Sequence, residues 1–256
     1  LFGNNLELAY AFIKVAGLLI VLSMIALLVF KGRNLYRQRK KEACLRKLEP
    51  FFLYVKTRLD ENGEIQLPSK PFRPFERKLI EERLGSWNDR LEGKEQERLT
   101  DLCERLGLVD WNLNKLKSVW EWRRLEAANA LGMLRSQKAA PQLLKMLATQ
   151  KSATGLHIVA RAAARCARDD KDLQRIVRAM AQRPKPSYRL IADILEDSGK
   201  DLTGLLTECL NDNDLKIVRI ALLCMERKAY PRLSLRILNW VESSDKEIRI
   251  LAVKAL

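Results

Sequence analysis

Residues 124–131 read RLEAANAL, and a similar mixture of arginine, alanine and aliphatic residues returns four more times along the chain. The later copies are HIVARAAA (157–164), RLIADILE (189–196), RIALLCME (219–226) and RILAVKAL (249–256). Their first residues are 33, 32, 30 and 30 positions apart. An interval of this size is typical of repeat proteins, in which each unit is one supersecondary element.

A second apolar stretch separates each pair of these copies, and it too has the spacing of a short helix. These stretches are PQLLKMLA (141–148), LQRIVRAMA (173–181), LTGLLTECL (202–210) and LSLRILNWV (233–241). We therefore predict units of two short antiparallel helices. A pair of about thirty residues cannot bury its own apolar face, so the units must stack. The sequence thus predicts an all-α fold that contains an α-solenoid.

Residues 122–256 resemble the HEAT-repeat family, in the short form common in bacterial proteins. In that family the second helix of a unit opens with a valine-arginine step that follows an aspartate in the turn. The positions that fit this pattern are Asp214, Val218, Arg219, Asp245, Ile248 and Arg249. The resemblance implies that the two aspartates and two arginines form a structural ladder between units. His157 and Arg189 lack an aspartate at the matching distance, so we expect the ladder to be broken there.

The N-terminal region holds sixteen consecutive residues without a charge, Val15–Phe30 (VAGLLIVLSMIALLVF). Leu8–Phe30 would span roughly 34 Å as a helix, which is enough to cross the hydrocarbon core of a bilayer. A buried core helix rarely runs so long with a basic stop behind it. A cleaved signal peptide would carry its positive charge before the apolar run. We therefore predict a transmembrane anchor over residues 1–32.

A dense run of positive charge follows the apolar segment directly, as FKGRNLYRQRKK over residues 30–41. Because lysine and arginine beside a span stay on the cytoplasmic side, we predict a single-pass protein of the plasma (inner) membrane with most of the chain in the cytoplasm. The cations expected to lie on anionic lipid headgroups, here called the basic collar, are Lys31, Arg33, Arg37, Arg39, Lys40 and Lys41. Lys14 is expected to snorkel to the opposite surface, and a polar contact with a partner's transmembrane helix is the alternative.

The region between the anchor and the repeats, residues 33–121, is predicted to be helical with one break. Residues 33–59 keep a helical apolar spacing, and DENG (60–63) should end that helix. An extended connector is expected next, because three prolines follow closely at Pro68, Pro71 and Pro74.

Two further helices, over residues 76–87 and 94–106, should follow the connector and stop at Gly107. Three tryptophans stand just before the first repeat, at Trp111, Trp120 and Trp122. We interpret them as a cap on the raw end of the solenoid, which needs large apolar side chains, and a ligand site is the alternative.

The run ERLGLVDWNLNKLKS (104–118) before a tryptophan-rich step and a HEAT unit resembles membrane-anchored bacterial HEAT-repeat proteins, many of which are encoded beside membrane glycosyltransferases. This resemblance implies a role next to a polysaccharide synthase. The first residue is not methionine and Leu256 falls inside an unfinished helical pattern, so we expect the natural chain and its solenoid to extend further.

Catalytic groups are not assembled in any familiar motif. The chain has one histidine and five scattered cysteines, with neither a CxxC pair nor a cysteine-histidine ligand set, so we interpret the cysteines as reduced thiols. We find no phosphate-binding glycine loop and no GxSxG motif. The sequence therefore predicts no enzymatic activity, no cofactor, no metal site and no small-molecule substrate.

The formal charge of +15 points to anionic partners or a membrane surface. Besides the collar, residues 161–189 carry nine bases against three aspartates, a local excess of +6. The arginines expected to meet a partner's acidic face or a phosphate are Arg161, Arg165, Arg168, Arg175, Arg178 and Arg189. The alternative is a solvated face without a ligand.

Together these features predict a non-enzymatic, membrane-anchored scaffold or regulatory subunit. Its cytosolic solenoid would bind a protein partner, an integral membrane enzyme such as a glycosyltransferase of polysaccharide synthesis. The alternative function is a membrane-tethered binder of nucleic acid or another polyanion through the arginines of residues 161–189.

Overall fold

The computed structural model describes residues 2–61, 63, 65–68 and 72–256, and all regular secondary structure in these residues is helical. The α-helices are α1 (Phe2–Asp60), α2 (Pro74–Asn88), α3 (Gly93–Arg105), α4 (Leu108–Lys115), α5 (Glu121–Leu134), α6 (Ala140–Thr149), α7 (Ala153–Cys166), α8 (Asp170–Ala181), α9 (Tyr188–Glu196), α10 (Thr203–Leu210), α11 (Leu215–Arg227), α12 (Ser234–Val241) and α13 (Lys246–Ala255). Short 3-10 helices, Gln137–Ala139 and Pro231–Leu233, precede α6 and α12. The all-α prediction is confirmed for the described residues.

The chain divides into two compact units, Leu1–Glu64 and Ile65–Leu256. The first unit is built on α1, which runs for 59 residues and contains Pro50. Its end at Asp60 confirms the predicted helix over residues 33–59 and its stop at DENG. We call the second unit the helical unit. The boundary differs from the divisions predicted at residues 32 and 121.

The helical unit begins with α2, whose first residue is Pro74. Proline suits this position because the first helical residue needs no backbone N–H donor, so the extended connector is one proline shorter than predicted. Pro68 lies in irregular backbone, and Pro71 lies outside the described residues. Gly107 adopts a left-handed conformation with φ of 70° and separates α3 from α4, a helix that the sequence reading missed.

Each of the nine apolar stretches of the repeats lies on its own helix, from α5 to α13. Every second helix contacts the next, in the order α5, α7, α9, α11 and α13, and α8 contacts both α6 and α10. The approach of α5 to α7 depends on small residues, since a Cβ added at Gly132 would lie 2.8 Å from the Cα of Ala162. Alanine, leucine, isoleucine and valine dominate the buried side chains of this region.

The predicted capping role is wrong for two of the three tryptophans. Trp120 and Trp122 are 62% and 58% exposed, so they do not cover the end of the repeats. That end is covered instead by α2 and α4, which both contact α5. The covering residues are aliphatic, and Leu84 and Leu108 among them are fully buried.

Candidate functional site

The apolar stretch of α1 is exposed all around the helix. No residue from 14 to 43 is buried, and Leu27 and Phe30 are 67% and 72% exposed. The helix is long and apolar enough to cross a membrane by length and composition. A helix that is apolar on every side has no stable place in water and requires lipid or another protein around it.

The basic collar occupies three turns of α1 directly after this stretch. Lys31, Arg33, Arg37, Arg39, Lys40 and Lys41 all have exposed side chains. Their spread over eleven residues corresponds to about 15 Å of helix, so the charges form a band around the helix. Lys14, the intramembrane candidate, is also exposed.

Five of the six candidate arginines between residues 161 and 189 form ion pairs inside the helical unit. The pairs are Arg161–Asp197 (3.1 Å), Arg165–Asp89 (3.0 Å), Arg168–Asp172 (2.8 Å), Arg175–Asp172 (3.5 Å) and Arg178–Asp212 (2.8 Å). Three of the four aspartates, Asp89, Asp197 and Asp212, lie outside residues 161–189. The positive charge of these arginines is therefore largely neutralised within the helical unit. The geometry gives no support to the hypothesis that they bind nucleic acid or another polyanion.

Asp172 is the most buried carboxylate in this network, with its side chain 1% exposed. Arg168 donates to it from Nε (2.8 Å), from Nη2 (3.1 Å) and from its backbone N–H (3.2 Å). These hydrogen bonds, above all those of the Arg168 side chain, lower the pKa of Asp172 below its ordinary value. The pair therefore fixes the start of α8 against the end of α7.

The predicted ladder forms one step between units. Arg219 on α11 lies 3.6 Å from Asp245 and 2.8 Å from Glu247 at the start of α13. Asp245 also accepts hydrogen bonds from the backbone N–H groups of Glu247 and Ile248, as an N-cap does. Among the described residues no ion pair joins Arg189 to Asp214, in line with the break expected at Arg189.

The other two ladder residues make local contacts. Asp214 caps the start of α11 by accepting from the backbone N–H of Lys216. Arg249 donates from Nη1 to the carbonyl oxygens of Ser243 and Ser244. The aspartates therefore act first as helix caps, which explains their position directly before α11 and α13.

A cleft that the sequence reading missed lies between α3 and the C-terminal ends of α5, α7 and α9. It has a volume of about 430 Å³. Three of its lining residues are cationic, Arg135, Arg165 and Lys200, and we call it the cationic cleft. Arg135 crosses from α5 to the end of α9, where its Nη1 and Nη2 donate to the carbonyl oxygens of Ser198 (2.6 Å) and Asp197 (3.4 Å).

Burial and mutual repulsion lower the pKa values of two cations of the cleft. Burial is the main cause that lowers the pKa of Arg135; the positive charge of Arg165 lowers it further, while Asp89 and Asp197 act in the opposite direction. Burial likewise lowers the pKa of Lys200 and Arg135 adds to the effect, while Asp169 and Asp170 act in the opposite direction. The Nε atoms of Arg135 and Arg165 are buried and have no hydrogen-bond partner. The cleft therefore holds positive charge that the protein compensates incompletely.

The repeat period offers a signal for this cleft. Helices α5, α7 and α9 end at Leu134, Cys166 and Glu196, at intervals close to the period. Residues just after these ends therefore lie side by side in the stacked helices, which brings Arg135 and Lys200 together across 65 positions of sequence. Of the three cations of the cleft, only Arg165 was predicted from the sequence as a site residue, because it belongs to the run of arginines over residues 161–189.

An exposed apolar patch lies at the start of α5. Val119, Trp120 and Trp122 are exposed, and Val119 reaches 91%. The guanidinium of Arg123 lies over the ring of Trp122 at 5.2 Å. Large exposed aromatic groups beside a cation are common in protein interfaces.

Four of the five cysteines are buried in the helical unit. Cys103, Cys166, Cys209 and Cys224 are buried and form no disulfide. Burial raises the pKa of Cys166 and Cys209 to about 12, which keeps these thiols protonated at neutral pH. Within the described residues no group of three or more His, Cys, Asp or Glu side chains is placed to hold a metal ion.

Comparison with known proteins returned no relative. No protein family, no curated protein sequence and no solved structure matches this chain.

Proposed function

We propose that this chain is a non-enzymatic membrane scaffold or regulatory subunit, in which α1 crosses the membrane once and the helical unit binds a protein partner in the cytoplasm. The observation that carries the proposal is the exposed apolar surface of α1, which no residue of the described chain buries between positions 14 and 43. The basic collar follows this surface directly and supports the cytoplasmic orientation.

The helical unit, in this proposal, is an α-solenoid of HEAT type. The order of contacts from α5 to α13 supports it, since alternate helices contact each other in sequence as stacked repeats require. The Arg219 to Asp245 step supports it as well. Such solenoids offer long surfaces for binding partners, and they act by binding instead of by catalysis.

The partner surface is the patch of Val119, Trp120 and Trp122. These side chains would lose most of their exposed area against a partner, and aromatic anchors of this kind dominate binding energy in interfaces. The resemblance to proteins encoded beside membrane glycosyltransferases favours an integral membrane enzyme of polysaccharide synthesis as the partner.

Site-specific photo-crosslinking tests this proposal in the full chain. A photoreactive phenylalanine at position 122 should give one discrete adduct with a membrane protein, and the same group at position 208, where Glu208 is exposed on α10, should not. Recovery of the uncrosslinked protein alone, from position 122 and under several mild detergents, would contradict the scaffold role.

A further inference from the structure

The cationic cleft has the size of a small-molecule site and a polar, charged lining. Its volume of about 430 Å³ lies within the usual range for ligand pockets. The lining includes polar side chains such as Gln137 and Ser198, and no aromatic ring is among the residues that line it. The walls therefore suit a hydrophilic ligand and offer no stacking platform for a nucleobase.

The cations of the cleft differ in how their charge is compensated. Arg165 has a carboxylate partner, since its Nη1 lies 3.0 Å from Asp89. Arg135 donates to neutral carbonyl oxygens. Lys200 has no carboxylate within ion-pair distance among the described residues. Arg135 and Lys200 thus place two cations without carboxylate partners in one cleft.

The carboxylates on the α3 side of the cleft have cations of their own in two of three cases. Asp101 pairs with Arg105 at 2.9 Å, and Glu104 pairs with Lys138 at 2.6 Å. Glu97 is exposed and stands at the rim. The acidic wall therefore leaves the positive field of Arg135 and Lys200 largely in place.

The backbone around Arg135 is held in an unusual conformation. Arg135 ends α5 with φ of 54°, and it is the non-glycine residue with positive φ among the described residues. Glycine is the usual residue at such a helix end, and strained non-glycine positions cluster at functional sites. Gly199, with φ of 70°, allows the close contact, because a Cβ there would lie 3.2 Å from Nη1 of Arg135.

We propose that the cationic cleft binds the phosphate group of a small polar molecule, with Lys200 as the direct anchor and Arg135 and Arg165 supplying the surrounding positive field. A phosphate dianion matches two cations without carboxylate partners better than a single carboxylate does. Binding would offset the repulsion among the three cations. This inference does not depend on the membrane role.

Calorimetric titration of the full chain in detergent tests the site with inorganic phosphate and pyrophosphate as probes, up to about 10 mM, which covers millimolar dissociation constants. We expect saturable binding of one pyrophosphate per chain, and no saturable heat from chloride at matched ionic strength. Lys200→Gln should weaken pyrophosphate binding at least about tenfold. Lys216→Gln, which removes an exposed lysine on α11, is the matched control and should bind like the parent.

Thermal unfolding provides a second readout that a merely structural lysine would not give. Without ligand, Lys200→Gln should unfold at the same temperature as the parent or higher, because one of three repelling charges is gone. The stabilising shift that pyrophosphate produces in the parent should disappear in this variant. Absence of saturable binding, an equal effect of chloride, or pyrophosphate binding that survives Lys200→Gln would each overturn the proposal.

Discussion

The first helix and the helical unit use the same aliphatic residues in opposite ways. On α1, leucine, isoleucine and valine between residues 15 and 29 are more than half exposed, whereas Leu131, Leu143 and Leu173 of the helical unit have no exposed surface. The helical unit buries its aliphatic side chains between its own helices. The first helix has no buried side chain between residues 14 and 43, and its apolar stretch is long enough to cross a membrane by length and composition.

The same contrast holds for charge. Residues 31–50 and residues 161–189 both carry a local excess of six positive charges. The basic collar is exposed on α1, whereas five of the six candidate arginines of the second stretch pair with aspartates. A charge excess along the sequence is therefore not sufficient evidence of a binding surface, because the fold can bring opposite charge to it.

The largest effect is expected from acidic residues placed in the apolar stretch of α1. Ile20→Asp with Ile25→Asp adds two carboxylates to the span, at an insertion cost of about 5 to 7 kcal/mol. We expect the variant to leave the membrane fraction after carbonate extraction. Asn34→Asp, which adds one carboxylate in the collar region, should remain membrane-bound. Retention of the double variant in the membrane would remove the contrast between the two regions.

The second-largest difference between the two regions is expected from overpacking. Gly132→Val forces a side chain against Ala162 between α5 and α7 and should lower the free energy of unfolding by about 3 kcal/mol. Gly17→Val on α1 meets no heavy atom within 4 Å, so its thermal midpoint should match that of the parent. Midpoints measured by circular dichroism in detergent check this, and similar losses in both variants would count against it.

The pair of buried Asp172 and half-exposed Arg168 should have a moderate effect that depends on pH. Asp172→Asn removes the charged partner of Arg168 and should cost about 2 kcal/mol at pH 7, whereas Glu208→Gln on an exposed face should cost almost nothing. Because folding lowers the pKa of Asp172, its contribution is complete above the ordinary value of 3.8 and is lost as pH falls below it. Urea unfolding across pH should therefore show a weaker acid dependence for Asp172→Asn. An unchanged acid limb would refute the assignment.

The smallest effect is expected at the partly exposed pair of Arg178 and Asp212. Its coupling energy in a double-mutant cycle with alanine should be about 0.5 kcal/mol, as for other exposed pairs. A coupling near zero would mean that this pair adds nothing to the stability of the fold. The measurement thus asks directly whether the 161–189 stretch is used inside the fold.

The helices could be predicted from the sequence because each repeat carries its own period of apolar residues, and the end of α1 could be predicted from DENG. The exposure of Trp120 and the pairing of Arg161 with Asp197 could not, since they depend on which turns and helices meet in space. Arg135 and Lys200 were missed for the same reason. The residues that they meet in the cleft lie one or two repeats away along the sequence, so no local motif marks them.

Thiol labelling in sealed, right-side-out membrane vesicles tests the central claim most directly. Gln38→Cys places a thiol on the exposed collar region of α1, in a Cys44→Ser background, while the four buried cysteines react slowly. A membrane-impermeant maleimide should label position 38 only after the vesicles are opened, with the protein in the membrane pellet throughout. Labelling of sealed vesicles, or recovery of the protein in the supernatant, would contradict an α1 that crosses the membrane with the helical unit in the cytoplasm.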